Sequence, residues 1–362
     1  MMRSNLKAVI DILTPKQGMF LSELSNSLEE KGHQVFRTTR EYREVLQLLK
    51  LKTIDAITVG KHGGGTLSGK LKAHASRVQK LSLVVEELKP DVAISFSSPE
   101  MARVAFGLGI PHICINDSPH AEAVARLTVP LSRLLFTPKV IPKKYWLEFG
   151  ISREKIIQYN ALDPWVWLKD LRPNRKVLEL LNLDESKPIL TFRTEESFAA
   201  YLLEKASAET SVTPIVERLL KESLDVQIVI IPRYREQTEV LQENFKQEVI
   251  VCDSLVDGPS LLSYTTVFVG AGGTMSTEAA LLGVPTFSCY PGEPTLIEKY
   301  LIRKGLIVRE ETPEKTAEKI ADQLKRIDFI RKRQSERARR LVEKFEDPVR
   351  VIADNVLRLS NT

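Results

Sequence analysis

Along the chain, short apolar runs rich in Val and Ile alternate with longer segments whose apolar positions recur every three or four residues. "KAVIDIL" precedes "PKQGMFLSELSNSLEEKG", "QVFRTT" precedes "REYREVLQLLKL", and "IDAITVG" is followed by a Gly-rich loop and "KLKAHASRVQKLSLVVEELKP". "DVAISF" leads into "PEMARVAFGLGI", and "PHICIN" into "PHAEAVARL". Short continuous apolar strands separated by amphipathic helices predict a parallel sheet covered on both faces. A second alternation begins near residue 188, with "PILTFR", "VQIVIIPR", "EVIVCD", "TVFVGA", "PTFSCY" and "LIVR" as strands. Between the two series, "DPWVWLKDLRPNRKVLELLNLDESKP" has prolines and charges but no strand, and reads as the interdomain connection. The expected architecture is α/β: two doubly wound, Rossmann-like domains facing a cleft. Residues 1–170 form the first, 171–345 the second, and 346–362 a C-terminal helix placed to pack back on the first. Such sheets bind ligands at the carboxyl ends of their strands.

The places where strands give way to helices carry the candidate chemistry. Thr14-Pro15, Ser98-Pro99 and Ser118-Pro119 each follow a strand and read as a hydroxyl N-cap with proline in the first helical position. Gln17, three residues after Thr14, completes a capping box. In "GKHGGGTLSGK", Gly64 and Gly65 let backbone amides approach a phosphate or sugar, and a loop without a ligand is the alternative. The first strand-to-helix turn lacks the GxGxxG of a dinucleotide site.

The most informative stretch is "VFVGAGGTMSTEAALLGVPTFSCYPG". A buried strand ends in glycines and a helix starts at once, with Thr274 read as its N-cap and Gly283 as its stop. Amides at that helix start, with the helix dipole behind them and no side chain at Gly272 or Gly273, suit a phosphate. Glu278, one turn in, is placed to accept hydrogen bonds from vicinal hydroxyls such as those of a ribose. The alternative is a glycine turn made for close packing.

"GAGGTMSTEAALLGVP" resembles the C-terminal-domain signature of GT-B nucleotide-sugar enzymes, the group of UDP-N-acetylglucosamine 2-epimerase and the peptidoglycan N-acetylglucosaminyltransferase. The resemblance implies that the Gly-rich turn holds a diphosphate and that Glu278 binds the ribose. The chain departs from the pattern at Ala271, where serine is common. Over its whole length it more closely resembles an uncharacterised, mostly archaeal family of the same fold. "DILTPKQ", "KHGGG", "SSPEMARVAFGLGIP", "NDSPHAEA", "PRY" and "GAGGT" are the shared landmarks. The resemblance implies an enzyme that takes a nucleotide-activated sugar, a UDP-sugar above all, as substrate, with no separate cofactor and no metal. Glycosyl transfer to an unidentified acceptor is the leading expectation. Epimerisation or hydrolysis of the same donor, and a regulatory protein that only binds it, are the alternatives.

Transfer needs a base and positive groups for the departing diphosphate. His120, Asp117 and Glu100 are the candidate bases; Arg193 and Arg233, each just past a strand of the second domain, are the candidate diphosphate ligands. Local capping and salt bridges to neighbouring glutamates are the structural alternatives. No HxH or HExxH suggests a metal.

Composition narrows the setting. With 362 residues, 43% apolar and 27% charged, the chain can bury two cores of ordinary size. Cys114, Cys252 and Cys289 lie far apart in apolar runs and read as buried free thiols of a reducing, cytoplasmic protein. The net charge of +5 is modest, and no aromatic–basic interleaving points to nucleic acid. "RIDFIRKRQSERARRLVEKFED" reads as a solvated helical face. Trp146, Trp165 and Trp167 read as packing near the domain junction, with acceptor or peripheral membrane contact as the alternative.

Overall fold

The computed structural model describes residues 5–195, 210–310 and 312–359. The chain divides into two compact units, Met1–Trp167 with Glu346–Thr362, and Leu168–Phe345.

The first unit holds seven strands: β1 (Lys7–Ile12), β2 (Gln34–Glu41), β3 (Ile57–Lys61), β4 (Val92–Ser95), β5 (His112–Ile115), β6 (Leu134–Pro138) and β7 (Ile156–Tyr159). They pair in parallel in the order β3-β2-β1-β4-β5-β6-β7. Strand β1 is central, and its Val9, Ile10 and Ile12 are fully buried, each contributing about 1.5–3 kcal/mol by removal from water. Two of these strands, β6 and β7, lie outside the five apolar runs read from the sequence. Each is four or five residues long and follows a single turn of 3-10 helix, and the α-helices before those turns, Glu122–Thr128 and Lys144–Leu147, are only seven and four residues long. The C-terminal helix Pro348–Leu359 packs on the helix Pro15–Glu30 of this unit through its Ile352, Ala353 and Val356 face.

The second unit holds β8 (Ile189–Arg193), β9 (Gln227–Ile231), β10 (Ile250–Val251), β11 (Val267–Gly270), β12 (Thr286–Ser288) and β13 (Ile307–Arg309). They too are all parallel, in the order β10-β9-β8-β11-β12-β13. Leu190, Phe192, Ile228, Ile230, Val267, Val269 and Phe287 fill the core on one face.

In both sheets the first strand in sequence lies in the middle and the strand order reverses beside it. The crevice outside the carboxyl ends at that reversal is where doubly wound sheets bind ligands. It lies between β1 and β4 in the first unit and between β8 and β11 in the second.

Among the described residues, no helix is long and apolar enough to cross a membrane. Trp146 is fully buried and Trp167 nearly so, which leaves neither ring available to a membrane surface. All three cysteines are free; burial pushes the Cys114 thiol up to about 11 and that of Cys252 up to about 12.

Candidate functional site

In the second unit the Gly-rich turn falls at the reversal point. Strand β11 ends at Gly270, and the Ala271 amide donates to the Arg193 carbonyl at the end of β8 (3.0 Å). The helix that follows spans Thr274–Leu281. Its N-cap is Gly273 rather than Thr274, which occupies the first helical position and makes no side-chain cap. The correction has a steric cause. Gly273 has φ +90° and ψ −166°, a conformation essentially confined to glycine. A Cβ there would stand 2.9 Å from Arg233 Nη2, and one at Gly272 would stand 2.8 Å from the Tyr290 ring. The absent side chains let the Arg233 guanidinium and the Tyr290 ring stand against the turn.

Arg233, just past β9, is held by the end of β8 and by the helix Arg235–Phe245. Its amide donates to Thr194 Oγ1 (3.1 Å) and Gln237 Oε1 (2.9 Å), and its Nε to the Thr194 carbonyl (3.2 Å). The guanidinium stands beside Gly273, at the positive end of the helix dipole. Arg193 donates through its Nη1 to the carbonyls of Ile231 (3.1 Å) and Pro232 (2.7 Å), tying β8 to the end of β9. Glu278 is buried one turn into the helix, on which Ala279 packs into the core with Leu262 and Phe268.

In the first unit, the reversal point gathers a charged group that spacing does not reveal. Thr14 caps the helix Pro15–Glu30, and Gln17 reaches back to the Leu13 amide (2.7 Å) and across to the Phe96 carbonyl beyond β4 (2.9 Å). Lys16, in the first turn, places its ammonium over the Phe96 ring, 4.5 Å from the centroid. That ammonium hydrogen-bonds to Asp117 Oδ2, beyond β5, and lies 2.9 Å from Oδ2 of the fully buried Asp163, beyond β7. Tyr159 donates its hydroxyl to Asp163 Oδ1 at 2.5 Å. Burial opposes the charge on Lys16, but the two carboxyls outweigh it and raise its pKa. Burial likewise opposes ionisation of Asp117, yet the Lys16 charge holds its carboxyl below the usual range. Asp163 goes the other way: burial, reinforced by Asp117, pushes it up to about 6 against the pull of Lys16. His120 is exposed; desolvation by the surrounding chain holds its pKa below the ordinary value, with Asp117 raising it and Lys16 lowering it.

The expected trio of bases is thus divided between two networks. Asp117 and His120 belong with Lys16, Asp163 and Tyr159. Glu100 belongs with Arg77, which is 1% exposed and grips Asp11 through Nη1 (3.0 Å) and Nη2 (2.6 Å). Arg77 Nη1 is 3.8 Å from Glu100 Oε2, and His74 Nδ1 is 3.4 Å from Glu100 Oε1. Burial works against the Glu100 charge, but the His74 hydrogen bond and the Arg77 charge keep its carboxyl below the usual range. The Ser118-Pro119 cap is corrected as well. The Asn116 side chain accepts the Ser118 amide (2.8 Å), residues 118–121 form a turn, and the next helix starts at Glu122.

Gly64 and Gly65 follow β3, at the edge of the first sheet rather than at its reversal point. The Gly64 amide donates to His62 Nδ1 (3.2 Å), and that ring stacks on Tyr42 at 4.7 Å. Thr66 caps the long helix Leu67–Leu88 that follows.

These folds and reversal-point sites define the class: two parallel-sheet units of the Rossmann-like kind that make up the GT-B fold. Solved structures show the same fold. A Listeria monocytogenes structure described as a putative UDP-N-acetylglucosamine 2-epimerase is similar with TM-score 0.74 at 14% identity, covering 98% of this chain and 95% of that one. The S. aureus MnaA–UDP co-structure is similar with TM-score 0.70 at 17% identity, covering 95% and 92%. Within this class, the chain belongs to the family described as "Protein of unknown function (DUF354)", whose model matches residues 6–361. It is 32% identical over 309 residues to the uncharacterized protein MJ0665 of Methanocaldococcus jannaschii, covering 84% of this chain and 87% of that protein.

Proposed function

We propose that this protein binds a nucleotide-activated sugar, a UDP-sugar in the first instance, and cleaves its sugar–diphosphate bond as an epimerase or hydrolase. The observation that carries the reading is the glycine turn and helix start at residues 272–274, at the reversal point of the second sheet, with the Arg233 guanidinium beside Gly273. Amides, dipole and guanidinium together favour a diphosphate. In the proposed reaction the bond between the anomeric carbon and the diphosphate oxygen breaks, and its electron pair leaves with the diphosphate. That charge is what Arg233 and the helix amides stabilise. Glu278 is assigned the ribose hydroxyls. A proton leaves either the sugar or an attacking water, and Asp117 and His120 are the groups assigned to receive it.

Two considerations place this reading ahead of transfer to an acceptor. The two similar structures named above are a putative UDP-N-acetylglucosamine 2-epimerase and a UDP complex. The first unit also places two carboxyls, Asp117 and Asp163, on the one Lys16 ammonium, a cluster able to hold a proton.

Titration calorimetry with UDP tests the binding half. Glu278→Ala and Arg233→Ala are each expected to weaken affinity roughly tenfold or more, the value of a hydrogen bond to a charged group. Incubation with UDP-N-acetylglucosamine alone tests the reaction: a 2-epimer or free sugar supports it. Turnover only when an acceptor is added would favour transfer, and absence of UDP binding would overturn the reading altogether.

A further inference from the structure

The Lys16 cluster has a charge imbalance. One ammonium faces two carboxyl groups, Asp117 with its side chain 13% exposed and Asp163 with none. With both ionised, the cluster would hold an uncompensated negative charge away from water, which is costly. Its geometry shows where a proton relieves this. The Tyr159 hydroxyl occupies Asp163 Oδ1 as a donor, so that oxygen is satisfied as an acceptor. Asp163 Oδ2 is buried and, though 2.9 Å from the ammonium, receives no aligned hydrogen bond. Asp117 is differently placed: Lys16 donates to its Oδ2 and the Ser118 hydroxyl to its Oδ1 (2.8 Å), both favouring the ionised form. The asymmetry agrees with the raised pKa of Asp163 and the lowered one of Asp117.

We propose that Asp117 and Asp163 share one proton through Lys16, with Asp163 as a positioning residue that fixes the ammonium and carries the compensating charge when Asp117 takes a proton from a bound ligand. Before the step, Asp163 holds the proton on Oδ2 and Asp117 is ionised. In the step, a ligand O–H or C–H bond breaks, its proton forms the O–H of Asp117, and its electron pair stays on the ligand. The cluster's charge rises to +1 as the ligand gains a negative charge; loss of the Asp163 proton to solvent water, past the part-exposed Lys16 ammonium, then leaves that carboxylate paired with Lys16 and returns the cluster to zero. Asp163 contacts no ligand in this account. It acts through Lys16, as the buried aspartate of a catalytic triad acts through its histidine. The charged and titratable groups facing the pair are Lys16, Tyr159 and, toward Asp117, His120.

The identity of the ligand rests on the function proposed above, but the shared proton does not. The test therefore begins without substrate. Infrared titration of the whole protein, with carboxyl stretches assigned by isotope-labelled aspartate, is expected to show one carboxyl band lost with a midpoint near 6. Asp163→Asn is expected to remove that band. Should this variant not fold, Tyr159→Phe serves instead; by deleting the donor to Oδ1 it is expected to move the midpoint upward. Loss of all carboxyl bands below pH 4.5 in the wild type, or an unmoved midpoint in Tyr159→Phe, would overturn the proposal. With UDP-N-acetylglucosamine as the probe, Asp163→Asn is expected to lower kcat at least about tenfold with little change in KM, and to shift the acid limb of the kcat profile. A wild-type enzyme inactive on this probe would count against the substrate reading alone, since the infrared result still decides the proton pair.

Discussion

Replacing Gly273 by alanine perturbs the helix start in two separable ways. The backbone effect comes first. At φ +90° and ψ −166°, an L-residue is strained by about 1–3 kcal/mol. For a unit of this size, each kcal/mol lowers Tm by roughly 2–4 °C, so a fall of about 2–12 °C in the second unit is expected. The second effect is local. The new Cβ would stand 2.9 Å from Arg233 Nη2, the mobile end of a side chain, which yields at little energetic cost but turns the guanidinium away from the helix start. If a diphosphate bridges those two groups, losing one charged hydrogen bond costs about 1.5–3 kcal/mol of affinity, or roughly a tenfold to hundredfold rise in the Kd for UDP. Gly32→Ala is the control: Gly32 has φ +84° and no heavy atom within 4 Å of the added Cβ, so backbone strain is expected without any change in nucleotide affinity. Calorimetric unfolding and UDP titration at a temperature where both variants remain folded provide the comparison. Equal UDP affinity in Gly273→Ala and Gly32→Ala would refute the reasoning, whatever the stability result.

Two further outcomes concern the first unit. His112 is buried between Ser95 Oγ and Ser132 Oγ, each 2.9 Å from a ring nitrogen, and burial pushes its pKa down to about 3. An unfolded histidine titrates near 6.5, so between about pH 6.5 and 3 the unfolded chain binds a proton that the folded one refuses. Stability should therefore fall as the pH drops through that window, and His112→Gln should flatten this part of a urea-midpoint profile; an unchanged slope would count against it. Arg77→Met strands Asp11 in a buried site and is expected to cost about 3–5 kcal/mol, read from urea unfolding. Asp11→Asn with Arg77→Met should recover part of that loss; an additive double variant would show the pair to be uncoupled.

The Gly turn was legible in the sequence because its chemistry is local. A strand end, three glycines and a helix start lie within a few residues, and only the identity of the cap, Gly273 in place of Thr274, needed the backbone angles. The alternation of strands and helices was legible for the same reason, and among the described residues it missed β6 and β7, short strands entered from 3-10 turns. The Lys16 cluster was not legible. Lys16 and Asp117 are 101 residues apart, and only the sheet order brings the ends of β1, β5 and β7 to one rim. Nothing in "ALDPW" marks Asp163 as different from any other aspartate before a proline. The Ser118-Pro119 cap failed because the Ser118 hydroxyl donates to Asp117 Oδ1 and its amide to Asn116 Oδ1, a local contest that residue type alone does not decide.

A crystal structure of the full chain with UDP tests the central claim most directly. Phosphate oxygens are expected within hydrogen-bonding distance of the amides at residues 273–275 and of the Arg233 guanidinium, with the ribose hydroxyls on Glu278. A nucleotide bound away from the Thr274–Leu281 helix start, or a helix start still filled by Arg233 or Tyr290 with UDP bound elsewhere, would contradict it.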